Sequence, residues 1–139
     1  MERIILHADL NNFYASVECI QQPKYKFVPM AVTGDVDQRH GIILAKNQLA
    51  KATGIKTGEV IWQARQKCPN LVCLPPRFGL YMQYSRKVRE VYYRFTPKVE
   101  PYGLDEAWLD MTGTGKTPGE AAEAVRTAVK KETGLTVSV

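Results

Sequence analysis

The sequence has little of what marks secreted, zinc-bound or membrane proteins. Its 139 residues include three cysteines, Cys19, Cys68 and Cys73, and no two of them form a Cys-x-x-Cys pair, which argues against a disulfide framework and a structural zinc site. The longest uncharged apolar run, near Ile4–Ala8, is far too short to span a bilayer, and no signal peptide precedes it. At 45% hydrophobic and 24% charged residues, the composition excludes disordered and fibrous classes. We expect a soluble, cytoplasmic protein with one domain's worth of chain.

Positive charge is concentrated in one stretch. The chain has a formal net charge of +5, and the stretch from residue 77 to residue 98 contains six cations and one acid. Such a stretch is typical of a nucleic-acid footprint, and a solvated helix face gives the same pattern. From charge alone, both interpretations stay open.

Periodicity and turn residues predict seven strands and five helices. The predicted strands are Arg3–Ala8, Val28–Thr33, Gly41–Lys46, Leu71–Leu74, Lys98–Tyr102, Ala107–Met111 and Leu135–Val139. The predicted helices are one capped by Asn11 or Asn12, then 47–53, 61–67, 78–95 with an apolar stripe from Phe78 to Phe95, and one opening with a capping box at Thr117–Glu120. Because the last strand pattern stops abruptly, we expect a longer parent protein.

The order of the elements predicts the fold class. Without residues 21–76, the order is strand, helix, strand, strand, helix, strand, which is the split βαβ or ferredoxin-like order of an α+β protein. In that order the first and third strands are antiparallel neighbours. Asp9 follows the first predicted strand, and Asp105 and Glu106 precede the third. We therefore expect three carboxylates to meet at one edge of the sheet.

Three converging carboxylates favour a metal site. Like charges at close range raise one another's pKa unless a cation neutralises them. Mg²⁺ prefers such oxygen ligands together with substrate phosphates, and two ions about 3.5–4 Å apart can clamp a phosphoryl displacement. The alternative is a set of solvated turn acids beside a helix-capping Asp. His7 and His40 are isolated in the sequence, and we expect no catalytic role for them.

The sequence also contains an incomplete phosphate-binding motif. The segment Gly113–Thr117 follows a strand and opens a helix, as a P-loop does, but the full motif needs glycine where this chain has Asp110. Pro118 also removes one of the helix-opening N–H donors. This segment is therefore expected to be a flexible loop between hairpin and helix.

Two segments resemble the motifs of one known family. Asp9–Glu18, DLNNFYASVE, resembles the opening D-x-[DN]-x-F-[YF]-A-x-V-E of the Y-family translesion DNA polymerases, the DinB/UmuC/ImpB group. Val99–Asp110, VEPYGLDEAWLD, resembles the family's V-E-x-x-S-I-D-E-A-[YF]-L-D, and Leu135–Val139 resembles the strand before the next family motif. The resemblance covers essentially the whole chain.

The resemblance implies a polymerase palm with a ferredoxin-like core and a small fingers insertion. Residues 1–20 and 77–139 would belong to the palm, and residues 21–76 to the fingers. The palm would be truncated before its end, and the thumb and the little finger would be absent. We thus expect an N-terminal palm-and-fingers fragment.

The resemblance also implies roles for particular residues. Asp105 and Glu106 would be catalytic, and metal would be bound by Asp9, the Leu10 backbone carbonyl, Asp105 and Glu106. The metal would be two Mg²⁺ ions bound with the substrate, with Mn²⁺ as a substitute. Nucleotide binding would involve Asn12, Phe13, Tyr14, Asn47 and Lys51, with Tyr14 as the steric gate against ribonucleotides.

At several positions the sequence has a residue other than the one most common in the family. Lys51 and Gln48 stand where the family has the arginine and tyrosine of its triphosphate clamp, so the clamp keeps a positive charge without a bidentate fork. Asn11 replaces a second Asp, which together with Lys51 favours the UmuC-like branch, and Gly103 replaces a common serine.

The function implied is template-directed DNA synthesis opposite damaged template, by two-metal phosphoryl transfer, in DNA repair and the SOS response. The partners implied are primer–template DNA, deoxynucleoside triphosphates and a sliding clamp bound through missing C-terminal segments, with no membrane. The fragment by itself is expected to be inactive or very weak. The alternatives are a palm-type nucleotide cyclase, which has no need of a fingers insertion, and a non-catalytic DNA-repair scaffold with the same fold.

Overall fold

The computed structural model describes residues 2–34 and 41–139, so the predicted charged loop 34–40 lies outside the described residues except for Gly34. The strands are β1 (Ile5–Leu10), β2 (Met30–Thr33), β3 (Ile43–Lys46), β4 (Val72–Leu74), β5 (Val99–Tyr102), β6 (Glu106–Asp110) and β7 (Val137–Ser138). The helices are α1 (Phe13–Gln21), α2 (Gln48–Ala52), α3 (Ile61–Lys67), α4 (Phe78–Phe95) and α5 (Pro118–Thr133).

The chain divides into two compact units. The first consists of the chain through Asn11 together with Gly79–Val139, and the second is Asn12–Phe78. The predicted domain boundaries after residues 20 and 76 follow the family pattern and stay a prediction.

The first unit contains the predicted ferredoxin-like sheet. Its strand order is β5-β6-β1-β7, and each neighbouring pair is antiparallel. Along β1, Leu6, Ala8 and Leu10 are buried, because successive side chains alternate between the two faces of a strand. His7 and Asp9 therefore lie on the more open face of the sheet.

Two expectations about the start of the chain are corrected. The first strand extends to Leu10 rather than ending at Ala8, because Asp9 pairs with Glu106 on one side and with Ser138 on the other. Asn12 occupies the N-cap position of α1 with φ 47°, but no side chain makes the capping hydrogen bond. The side chain of Asn11 instead bonds to Thr136 and Ser138 of its own unit.

The two long helices agree with their patterns except at the two ends of the α4 stripe. Phe78, expected at the start of the buried stripe, is 48% exposed. Phe95, expected at its end, is half-buried. The residues of the predicted stripe between Tyr81 and Tyr92 are buried. The capping box of α5 is confirmed: Thr117 accepts from the Glu120 N–H, and the Glu120 side chain accepts from the Thr117 N–H. These bonds occupy donors that a phosphate-binding loop would present to its ligand.

The second unit has a three-stranded sheet of order β3-β2-β4, with β2 antiparallel to β3 and parallel to β4. A 3₁₀ helix over Pro23–Phe27, for which no element was predicted, precedes β2. The core of this sheet and its helices is formed by Ala31, Ile43, Ala50, Ile55, Ile61, Ala64, Cys68 and Leu71.

The three cysteines are free thiols, and Cys19 and Cys68 are buried. Within the part of the chain that the structure covers, no helix combines the length and the apolarity needed to cross a membrane.

Candidate active site

The predicted carboxylates meet at one end of the central strands of the first unit. Asp9 near the end of β1 and Glu106 at the start of β6 are cross-strand partners. Asp105 precedes Glu106 in the turn after β5, and its carbonyl accepts a hydrogen bond from the Leu10 N–H at 2.9 Å. The pairing of two antiparallel strands therefore brings together residues almost 100 positions apart in the chain.

Burial and neighbouring carboxylates disfavour the ionised forms of both Asp9 and Asp105. Burial raises the pKa of Asp9, and the charge of Glu106 raises it further, while His7 lowers it. Burial also raises the pKa of Asp105, and the charge of Asp9 adds to that shift. The pKa of the Tyr92 phenol is raised by burial and then by Asp9 and Asp105. This end of the sheet therefore concentrates negative charge in a partly desolvated place.

The hydroxyl of Tyr92 is a buried polar group facing this charge. Tyr92 is 2% exposed, and its hydroxyl has no hydrogen-bond partner among the described residues. A buried hydroxyl without a partner costs free energy, so such groups are uncommon in folded proteins. Tyr92 was expected only as a member of the apolar stripe of α4.

His7, for which no catalytic role was expected, contacts the third carboxylate. Its Nε2 lies 3.0 Å from Oε1 of Glu106, and its ring lies 4.4 Å from the ring of Trp108, measured between centroids. The alternation along β1 puts His7 on the same face as Asp9, two residues away. That alternation was the signal that could have identified His7 from the sequence.

The donor set suits a hard cation such as Mg²⁺. Within residues 2–34 and 41–139, no three His, Cys, Asp or Glu side chains are already grouped so as to hold a metal ion. Carboxylate oxygens are nevertheless the ligands that Mg²⁺ prefers, and the raised pKa values of Asp9 and Asp105 mean that a bound cation relieves repulsion. The predicted metal site fits these residues and stays a prediction.

The predicted contacts to the nucleotide sugar lie in the second unit, at the start of α1. Phe13 is buried, whereas Tyr14 is partly exposed. The Tyr14 ring packs edge-on against Phe78 at 5.7 Å and lies 5.6 Å from the ring of Phe13. Asn12 precedes both with a left-handed backbone, which asparagine tolerates better than most residues. The roles of Asn12, Phe13 and Tyr14 stay predictions.

The predicted triphosphate contacts lie around α2. The side chain of Asn47 accepts hydrogen bonds from the N–H groups of Met30 and Ala50 and donates to the carbonyls of Tyr25 and Val28. It thus ties the start of α2 to residues 25–30 of the second unit. Its role toward a nucleotide stays a prediction.

Lys51 has a cationic neighbour that the sequence analysis did not single out. Lys51 lies exposed on α2. Burial lowers the pKa of Lys46, and the charge of Lys51 lowers it further. The Lys46 Nζ donates to Thr57 Oγ1 at 3.0 Å. Two neighbouring ammonium groups therefore lie on the segment where the family has its triphosphate clamp.

Comparison with known proteins places this fold in the class of Y-family DNA polymerases. A Y-family DNA polymerase chimera superposes with a TM-score of 0.89 at 27% identity, covering 96% of this chain and 41% of that one. The insertion ternary complex of Dbh DNA polymerase gives a TM-score of 0.88 at 26% identity, covering 96% of this chain and 41% of that one.

The chain belongs to the impB/mucB/samB family, which matches residues 8–139. DNA polymerase IV of Acetivibrio thermocellus is 47% identical over 142 residues, an alignment that covers 100% of this chain and 36% of that protein. This chain thus spans about a third of the length of that relative, and the family resemblance seen in the two motifs is confirmed.

Proposed function

We propose that this chain carries the catalytic carboxylates of a translesion DNA polymerase, which adds deoxynucleotides to a primer opposite damaged template. The observation that carries the proposal is the pairing of Asp9 with Glu106, beside Asp105, at one end of a ferredoxin-like sheet. Membership of the impB/mucB/samB family and 47% identity to a DNA polymerase IV support it.

In this proposal Asp105 and Glu106 are the catalytic pair, and Asp9 and the Leu10 carbonyl complete the metal ligands. These residues would hold two Mg²⁺ ions, or Mn²⁺ in their place, and bound ions would supply charge neutralisation at the triphosphate and activation of the primer hydroxyl. The protein's own contribution is to hold its carboxylates on paired strands, so that little reorganisation is needed when substrate binds. His7 orients Glu106 through the 3.0 Å contact between Nε2 and Oε1.

The proposed partners are primer–template DNA and deoxynucleoside triphosphates, whose phosphates would meet Lys51 and Lys46. For a protein of the length of the relatives, we add a sliding clamp as a further partner. We place the protein in the cytoplasm, in DNA repair and the SOS response, which the free thiols of Cys19, Cys68 and Cys73 suit.

The proposal is tested by replacing the matching region of the Acetivibrio DNA polymerase IV with this chain. We expect the chimera to extend a primer on a template, and Asp9→Asn or Asp105→Asn to slow nucleotide addition by about 100- to 1,000-fold. Asp110→Asn, at the other end of β6, is the matched control and is expected to leave the rate unchanged.

Three outcomes contradict the proposal. Retained addition in either carboxylate variant means that the metal site is elsewhere. Template-independent conversion of a nucleoside triphosphate to a cyclic product identifies a cyclase, and DNA binding without any addition identifies a scaffold.

Residues 1–139 alone are expected to extend primers far more slowly than the chimera, because most phosphate contacts that hold a duplex would come from the rest of the relative.

A further inference from the structure

The turn that carries Asp105 has each of three consecutive carbonyls fixed by a different donor. The carbonyl of Gly103 accepts from Arg89 Nη2 at 2.8 Å, and that of Leu104 accepts from Ser85 Oγ at 2.6 Å. The carbonyl of Asp105 itself accepts from the Leu10 N–H at 2.9 Å. The backbone of the turn is thus held on one side by α4 and on the other by β1.

Both side-chain donors come from the same face of α4. Ser85 and Arg89 are four residues apart, which places them one above the other on the helix. Ser85 is only 2% exposed. Because burying a hydroxyl is unfavourable unless it is hydrogen-bonded, serine at this buried position is explained by its bond to the Leu104 carbonyl.

The turn needs such support because Gly103 has φ +68°, a left-handed conformation that no side chain of its own stabilises. The turn also carries Asp105 directly beside the cross-strand pair of Asp9 and Glu106, so a third carboxylate of like charge lies next to that pair. Hydrogen bonds to the backbone of the turn keep Asp105 in that place.

We infer that Ser85 and Arg89 are positioning residues: by fixing the carbonyls of Leu104 and Gly103, they set where the Asp105 carboxylate lies for metal binding. The inference rests on the proposed function, since it concerns the same carboxylates. Neither Ser85 nor Arg89 is a proposed ligand of the metal or the nucleotide. Their effect passes through the backbone of the turn, as the partners behind a metal ligand act through the ligand they orient.

The experiment is a titration of this chain with Mg²⁺, in which ¹H–¹⁵N NMR monitors the amide signals of Leu10 and Glu106. NMR suits the weak metal binding expected in the absence of a nucleotide. The variants are Ser85→Ala, which deletes the hydroxyl, and Arg89→Met, which keeps the aliphatic stem on a less buried residue. Arg89→Lys retains a donor and is expected to lie closer to wild type than Arg89→Met.

Thr96→Val is the matched control. Thr96 is also a buried hydroxyl in the first unit, 4% exposed, and its Oγ1 donates to the carbonyl of Asp110 at 2.7 Å, at the far end of β6. The Thr96→Val variant is expected to lower the melting temperature as Ser85→Ala does and to leave the Mg²⁺ affinity unchanged. Ser85→Ala and Arg89→Met are each expected to weaken Mg²⁺ binding by about 10-fold.

The outcomes separate this inference from the proposed function. If Asp105→Asn abolishes the Mg²⁺ response while Ser85→Ala and Arg89→Met titrate as wild type does, the inference alone is overturned. An equal loss of affinity in Thr96→Val also overturns it, because the effect is then one of general stability. If wild type and Asp105→Asn respond identically to Mg²⁺, the proposed function fails and the inference fails with it.

Discussion

At the scale of single residues, Asp105 is a side chain whose charge opposes folding. Its pKa is raised above the usual 3.8 by burial and by Asp9, so its ionised form is disfavoured in the folded state. Asp105→Asn is therefore expected to increase the free energy of unfolding at pH 7 by about 0.5 kcal/mol, a small value because solvent screens a partly exposed group. The gain is expected to disappear as the pH falls below the usual pKa, where both states are protonated.

Asp110 provides a control of opposite sign for this prediction. Hydrogen bonds from Thr112 hold the pKa of Asp110 below its usual value, so this carboxylate stabilises the fold above that pH and the contribution is lost on acidification. Asp110→Asn is expected to lower stability at pH 7. Urea unfolding at pH 7 and at pH 3.5 measures both variants, and destabilisation by Asp105→Asn at pH 7 contradicts the prediction.

Tyr14 is the residue whose proposed role can be tested by substrate choice. If its partly exposed ring excludes a 2′-hydroxyl, Tyr14→Ala in the chimera should raise the ribonucleotide to deoxynucleotide ratio of kcat/KM, because a clash against the wrong substrate has been removed. Tyr25→Ala, another partly exposed tyrosine of the second unit, should leave the ratio unchanged. An unchanged ratio in Tyr14→Ala with a lowered melting temperature assigns Tyr14 to packing.

At the scale of elements, two helix N-cap residues of this chain should contribute different amounts to the free energy of unfolding. Thr117 makes an ordinary capping box in an exposed place, whereas Asn47 caps α2 and also bonds to Met30, Tyr25 and Val28. Thr117→Ala is expected to cost about 1 kcal/mol of unfolding free energy, and Asn47→Ala about 2–3 kcal/mol. Chemical denaturation of both variants measures the difference, and equal costs contradict it.

Elements whose signals are local could be predicted from the sequence. The capping box of α5 and the buried stripe of α4 needed only neighbouring residues, and both are observed, apart from Phe78 and Phe95 at the two ends of the stripe. The end of β1 was placed too early because strand pairing with Glu106 and Ser138 decides it, and pairing partners are distant in sequence. Asn11 or Asn12 was expected to cap α1. Asn12 occupies the N-cap position with a left-handed backbone, but its side chain makes no capping hydrogen bond.

The candidate site could be predicted in its carboxylates and not in what surrounds them. Asp9, Asp105 and Glu106 follow from the strand order and the motifs. Strand alternation places His7 on the face of Asp9, but its contact with Glu106 and the contact of Ser85 with Leu104 depend on the three-dimensional structure. Periodicity assigned Tyr92 to the core correctly by burial, but it carries no information about which polar groups a buried hydroxyl will face.

At the scale of the whole molecule, the basic stretch 77–98 is weaker as a nucleic-acid surface than its composition indicates. Arg77 pairs with Glu18, and Arg94 pairs with Glu132. Arg86 and Lys87 are exposed on α4, and Lys98 is exposed after its end. Since each neutralised phosphate contributes a slope of about −0.9, three such contacts predict that the logarithm of the affinity for duplex DNA falls with log[salt] with a slope of about −3.

Fluorescence anisotropy of a labelled primer–template duplex between 50 and 200 mM salt measures this slope. Replacing both Arg86 and Lys87 with glutamine should reduce the magnitude of this slope by about 2, because two phosphate contacts are lost. Arg94→Gln is the control and should leave the slope unchanged, since that guanidinium is already paired with Glu132. A wild-type slope of about −4.5 or steeper shows that the paired arginines also contact DNA.

The contact between His7 and Trp108 gives this sheet an optical reporter of its own. The indole of Trp108 is 45% exposed and lies against the imidazole that holds Glu106. Any ligand that draws Glu106 away from His7 changes the polarity and the contacts around the indole, so the emission of Trp108 should respond before any bond is made or broken. Replacing the other tryptophan, the exposed Trp62, by phenylalanine isolates that signal and makes binding at the carboxylates visible without a label.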